Sequence, residues 1–151
     1  MSADNRKARH DYFLFDKFEA GIELRGSEVK SIREGRINLK DAYVRISGEE
    51  VFVVNLHIAT YRYTHHFIPE PTRTRKLLLN RKEIEHLSTS LVRKGFVCIP
   101  LRLYFKRNFV KLEIALAKKK KTYDKRQTLK EKIHRREMDK AIKQSLRRKV
   151  Q

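Results

Sequence analysis

Cysteine, glycine, proline and acidic side chains are all scarce in this sequence, and each scarcity excludes something. Cys98 is the one cysteine in 151 residues, so neither an intrachain disulfide nor a cysteine-cluster metal site can form. It stands between Val97 and Ile99 and reads as a buried core thiol. The five glycines are scattered singly, which removes the Gly-rich phosphate loop and with it nucleotide-driven chemistry. No stretch approaches the roughly 20 consecutive apolar residues of a membrane span, and residues 1–7 lack the apolar run of a secretion signal. A cytoplasmic protein without membrane contact is expected. The six histidines fall at no zinc spacing, so no metal site is expected. A hydrolase needs a nucleophile with a base, or clustered carboxylates. Here Glu49 and Glu50 sit at a turn and Asp41 stands alone before a strand, so all three read as solvated charge. No catalytic group and no cofactor is expected.

What the chain has in excess is positive charge: 37 Lys+Arg against 18 Asp+Glu, a net +19 and a pI near 10.3. Such a surface suits nucleic acid or an anionic membrane. The charge is unevenly placed. Residues 1–117 hold 22 basic against 14 acidic side chains, and residues 118–151 hold 15 against 4. The junction is Ala117-Lys118-Lys119-Lys120-Lys121, where apolar alternation stops. Upstream, residues 1–117 are long enough to bury a core. Downstream, residues 118–151 have too little apolar surface to offset their own ordering entropy, and are expected to stay disordered until a polyanion meets them. On a helix their apolar residues divide: Leu129 and Ile133 fall on one side, Met138, Ile142, Leu146 and Val150 on another. A stripe this thin argues against membrane insertion and suits a helix in a charged groove.

Within the first region, residues 5–10 are a basic arm suited to phosphate contact. Phe18, Ala20, Ile22 and Leu24 alternate with polar residues, the period of a half-buried strand that turns Glu19 and Glu23 outward. Residues 26–35 read as a short helix with Ser27 at its N-cap and Gly35 at its end. Residues 42–46 and 51–56 flank Ser47-Gly48-Glu49 as a hairpin, and residues 57–63 read as a further strand. Residues 65–74 are irregular and lead into a basic cluster, Arg73 to Lys76, a pattern that often carries function. Asn80 with Glu83, and Leu79 with Ile84, form a capping box and hydrophobic staple for a second helix ending at Gly95. Residues 96–105 and 109–117 are the last two strands. About six hairpin-linked strands with two short helices predict a mainly β fold, a small antiparallel β-barrel of oligonucleotide-binding (OB) type, with a basic C-terminal tail.

Four segments then carry a resemblance: residues 5–12 (NRKARHDY), 18–35 (FEAGIELRGSEVKSIREG), 71–80 (PTRTRKLLLN) and 110–126, which end in YDKR. Together they resemble the small protein B family, the tmRNA-binding partners of bacterial trans-translation. The resemblance implies a barrel that holds the tRNA-like domain of tmRNA, the SsrA RNA, and delivers it to stalled ribosomes, with elongation factor Tu in the tmRNA complex. It implies RNA contacts at Asn5, Glu19, Arg33, Leu78, Asn80 and Lys111. It further implies a tail that meets the ribosome at the decoding site and in the empty mRNA channel, through Tyr123, Asp124, Lys125 and Arg126, folding as a helix there. Lys119 stands where the family pattern has a glycine hinge. Two carry-overs have structural counterparts: Asn80 is also a helix cap, and Arg33 also complements a helix dipole. Glu19 is the carboxylate that a phosphate-binding body would omit unless it reads a base donor. The residues alone also admit a ribosomal or RNA-chaperone protein and, from another class, a metal-dependent nuclease.

Overall fold

The computed structural model describes residues 2–149. Its elements run β1 (Ser2–Asp4), α1 (Arg6–Asp11), β2 (Tyr12–Ile22), α2 (Gly26–Arg33), β3 (Ile37–Asn38), β4 (Tyr43–Ser47), β5 (Glu50–Val54), β6 (His57–Ile58), β7 (Arg75–Leu78), α3 (Arg81–Leu91), β8 (Phe96–Lys106), β9 (Phe109–Lys119) and α4 (Thr122–Lys149). The chain parts into two units between Lys119 and Lys120. That point lies two residues past the charge junction, because β9 goes on pairing with β2 as far as Tyr12↔Lys119.

The first unit is a mainly antiparallel sheet with flanking helices. Seven strands hydrogen-bond in the order β1-β8-β4-β5-β7-β2-β9, and β8 also pairs with β9. The pairings therefore run round a circuit. Its weakest link is β4 to β8, which meet at Val44↔Cys98 alone. The alternation read from Phe18 to Ile22 holds: Ala20 and Ile22 enter the core with Val51, Val53, Leu77, Leu103, Leu112 and Ile114. Each Val, Leu or Ile among them contributes about 1.5–3 kcal/mol on burial. Cys98 lies in the same core at 1% exposure, and burial pushes its thiol up to about 12. It is a packing residue. The hairpin of β4 and β5 closes through Gly48 at φ +63°, a left-handed position that glycine adopts without strain.

Several expectations are corrected. The basic arm at residues 5–10 is a helix, α1, because the Asn5 side chain accepts the Ala8 N–H at 3.1 Å and starts it. Its apolar side covers Leu101, Ala115 and Ala117 on the outside of the sheet. The cap of α2 is Arg25, whose N–H donates to Glu28 Oε2 at 2.8 Å, and not Ser27. The strand expected over residues 57–63 stops at Ile58 and belongs to a separate two-stranded pair with β3. The basic cluster is no open loop, since Arg75 opens β7 and is wholly buried. Its Nε donates to Glu28 Oε1 at 2.9 Å, and its Nη atoms donate to the carbonyls of Leu56 and Pro71 at 2.6 and 3.0 Å. Arg73 completes the group with 2.7 and 2.8 Å bonds to the same carboxylate. What reads in sequence as a basic cluster that carries function is in part an internal ion pair.

The second unit is one helix of 28 residues. Its composition favours a helix: Lys, Arg, Glu, Gln, Leu, Met and Ala are strong helix formers, and no glycine or proline follows Pro100. Asp124, in the first turn, accepts the Lys121 N–H at 3.3 Å, and its charge faces the helix N-terminus favourably. The divided stripe is also present: Leu129, Ile133, Met138, Ile142 and Leu146 are all 47–58% exposed. Val150, counted in that stripe, lies outside the described residues.

Candidate nucleic-acid interface

The open face formed by β2, β9 and β8 holds two of the expected contacts, Glu19 and Lys111. Register sets Glu19 beside Glu113 and Gly21 beside Lys111 on β2 and β9, then Arg102 beside Glu113 and Tyr104 beside Lys111 on β9 and β8. In strands, side chains at matched positions share a face. Glu19 therefore stands in a field of cations. The Tyr104 hydroxyl donates to Glu19 Oε2, and Lys106 Nζ donates to both carboxylate oxygens at 3.0 and 3.3 Å. Tyr104, then Lys106 and Lys111, hold the Glu19 carboxyl below the usual carboxylate range. Burial first, and then this bond, push the Tyr104 phenol up to about 12. Arg102 lies over the same tyrosine ring, 5.3 Å from its centroid. The carboxylate is thus an anchor for two donors on the exposed face.

Leu78 and Lys111 flank a groove of about 450 Å³ also lined by Gly21, Val29, Asn108 and Phe109. Leu78 is 51% exposed and lies directly on Gly21, where an added Cβ would come within 3.1 Å of Leu78 Cβ. The strand accepts only glycine there without pushing Leu78 aside. Arg33, on the last turn of α2, places its guanidinium 5.8 Å from the Phe105 ring centroid, beside the β8–β9 hairpin. Asn80 is exposed at the start of α3 and forms the capping box with Glu83, whose Oε2 accepts the Asn80 N–H at 3.0 Å.

Asn5 is set apart from this face. It is 7% exposed, its amide donates to the carbonyls of Leu39 and Pro100 at 3.2 and 3.0 Å, and its oxygen caps α1. Its polar atoms point into the protein, so any effect on RNA passes through the placement of α1. In the second unit Tyr123 is 75% exposed and Arg126 is exposed as well. Asp124 is engaged in the cap described above. Among the described residues no cluster of three or more His, Cys, Asp or Glu could hold a metal ion. No helix of the described chain is long and apolar enough to cross a membrane.

Tyr104 and Lys106 were missed by sequence reasoning, although a signal was there. Arg102, Tyr104 and Lys106 alternate with Leu101, Leu103 and Phe105, which marks them as the outward set of one strand.

Fold and face together define a basic β-sheet protein that presents cations around a fixed carboxylate, built to meet a polyanion. Comparison with known proteins supplies the family. The SmpB protein family model matches residues 2–144. The chain is 50% identical over 145 residues to the SsrA-binding protein of Shouchella clausii (strain KSM-K16), covering 96% of this chain and 93% of that protein. It is 51% identical over 140 residues to the SsrA-binding protein of Bacillus cereus (strain AH820), covering 93% and 90%. A solved structure described as "tmRNA-SmpB: a journey to the center of the bacterial ribosome" contains a chain that matches with a TM-score of 0.69 at 38% identity, over 80% of this chain and 85% of that one. The chain belongs to the SmpB family.

Proposed function

We propose that this protein binds tmRNA, the SsrA RNA, and brings it to stalled ribosomes in trans-translation. The observation that carries this is the 50% identity to an SsrA-binding protein across nearly the whole chain, which the cationic face around Glu19 supports. It acts as an adaptor and not as a catalyst, in the cytoplasm, with elongation factor Tu in the tmRNA complex. The circuit of strands is read as a barrel of OB type whose outer face at Glu19, Arg33, Leu78, Asn80 and Lys111 grips the tRNA-like domain. The helix from Thr122 is read as the ribosome-directed part, with Tyr123 to Arg126 at the decoding site and the remainder in the empty mRNA channel. At about 1.5 Å per residue its 28 residues make a rod of roughly 42 Å.

The test is paired. Replacing Asp124, Lys125 and Arg126 together by Ala should leave affinity for a tRNA-like tmRNA fragment unchanged and abolish peptide tagging on stalled ribosomes. Normal tagging by that variant would remove the tail from the mechanism. Failure of the unaltered protein to prefer tmRNA over other structured RNAs would favour a general RNA chaperone.

A further inference from the structure

At the other end of β2 from Glu19 lies a second cluster that the tmRNA face does not use. Register places Phe13, Lys118 and Phe96 in one row across β2, β9 and β8, through Phe13↔Lys118 and Phe96↔Lys118. Lys118 Nζ sits 4.5 Å from the centroid of the Phe96 ring. Phe15 meets that ring edge-on, with centroids 5.2 Å apart and planes at 62°. Gly95, at φ +85°, turns the chain into β8 beside the Lys118 stem. Phe13 and Phe15 remain 45% and 47% exposed. Contiguous exposed rings of this kind mark an interaction site.

We propose that Phe13, Phe15, Phe96 and Lys118 form a stacking platform for an unpaired RNA base, resting on the RNA-binding reading above. In this contact the edge of one ring meets the face of the other and Lys118 lies over Phe96, so the aromatic surface left for a base is that of the half-exposed Phe13 and Phe15. A nucleotide offers what such a surface lacks, an apolar plane for the rings with a phosphate for the ammonium. Arg93 and Lys94, both exposed, stand next to the same turn and add to the attraction. Phe13 is six residues along β2 from Glu19, roughly 20 Å at about 3.3 Å per residue. A base held here therefore belongs to a different RNA segment from the one at Lys111, and the body grips RNA at two points.

The experiment uses the full chain and a short unpaired RNA carrying thiouridine, irradiated and mapped by mass spectrometry. Adducts are expected on the peptides holding Phe13 to Phe15 or Phe96. Phe15→Ser should weaken this RNA on the order of tenfold and remove the adducts. Phe15→Tyr, which keeps a ring, should retain both, and Phe15→Leu, which is apolar without one, should not. Because Phe15 is half exposed, these variants should melt with the parent, and the tyrosine variant reads the platform even if the serine one misfolds. Adducts confined to other peptides, or full affinity in the Leu variant, overturn the platform. So does an acidic peptide that binds the parent and is lost with Phe15→Ser while the RNA is unaffected. The tRNA-like fragment is measured in parallel. Its failure to bind the parent would overturn the tmRNA reading, whereas its normal binding beside an unaffected short RNA would overturn the platform alone.

Discussion

Glu28 and Glu19 are two glutamates nine residues apart, each held by basic neighbours, yet one is sealed at 2% exposure and the other stands on the open face. Glu28 has both oxygens taken by Arg73, Arg75 and the Arg25 N–H. Water cannot compensate the charge of Glu28 or of Arg75 if its partner leaves. Glu19 has a tyrosine and a lysine beside it, and solvent can replace either. The same chemical pairing is therefore structural where it is desolvated and available to a ligand where it is not.

The comparison is tested most severely by Glu28→Gln, which leaves Arg75 buried without its counter-charge. A loss of about 3–5 kcal/mol is expected on thermal or urea unfolding. Burial on its own would favour the protonated Glu28, but Arg73, the Arg25 N–H and Arg75 outweigh it and hold the carboxyl below its ordinary value of 4.5. Its folded pKa being depressed, its contribution is complete above pH 4.5 and drains away as pH falls through the folded value. The parent should lose stability over that acid range, and Glu28→Gln should lose less. An equal acid slope in both would place the linkage elsewhere.

Asn5→Ala comes next, with about 1–3 kcal/mol lost as the buried carbonyls of Leu39 and Pro100 lose the Asn5 amide and the Ala8 N–H loses its cap. RNA affinity of the folded molecules should change little; a large drop at unchanged melting temperature would return Asn5 to the interface. Smaller in stability but decisive for function are Glu19→Ala and Tyr104→Phe. Neither should move the melting temperature, and both should weaken a tRNA-like RNA while sparing the slope of affinity against salt. Lys111→Ala should reduce that slope by about 1. If Glu19→Ala weakened all RNAs equally, the carboxylate would be doing no more than tuning net charge. The smallest effect is expected of Asn80→Ser, which keeps a good cap and should alter stability by a few tenths of a kcal/mol. An RNA affinity equal to the parent's would make Asn80 a cap and nothing else.

Sequence showed the strands wherever side chains alternate, as at Phe18 to Ile22 and Val110 to Leu116, and the α3 cap through Asn80 and Glu83. It misjudged residues whose partners are distant in the chain. Arg75 meets Glu28 across 47 residues, and Asn5 meets Pro100 across 95; neither pairing has a local signature. Polar residues were read as surface because most are, and tertiary contact overrode that for these two. At Glu19 the outward direction was legible from period two, but the partner hydroxyl on β8 was not. In the tail, low apolar content argues for disorder when free, and helix propensity argues for the helix that runs from Thr122 to Lys149.

Strand β2 takes three steps from Leu14 to Lys17 where β9 takes two from Ala117 to Ala115. That one extra residue acts as a phase shift. Before it, odd-numbered Phe13 shares the side of Lys118 while Leu14 packs under α1; after it, the even-numbered Phe18, Ala20 and Ile22 take the core side. Because side chains alternate strictly along a strand, three regular steps from Leu14 to Lys17 without the bulge would set these two residues on opposite faces and invert everything before them relative to everything after. Leu14 would turn from the shelter of α1 toward Lys118, and Phe13 would turn away from it. The reading frame of the fold is thus set at this bulge, where one extra residue keeps both halves of β2 in phase with β9.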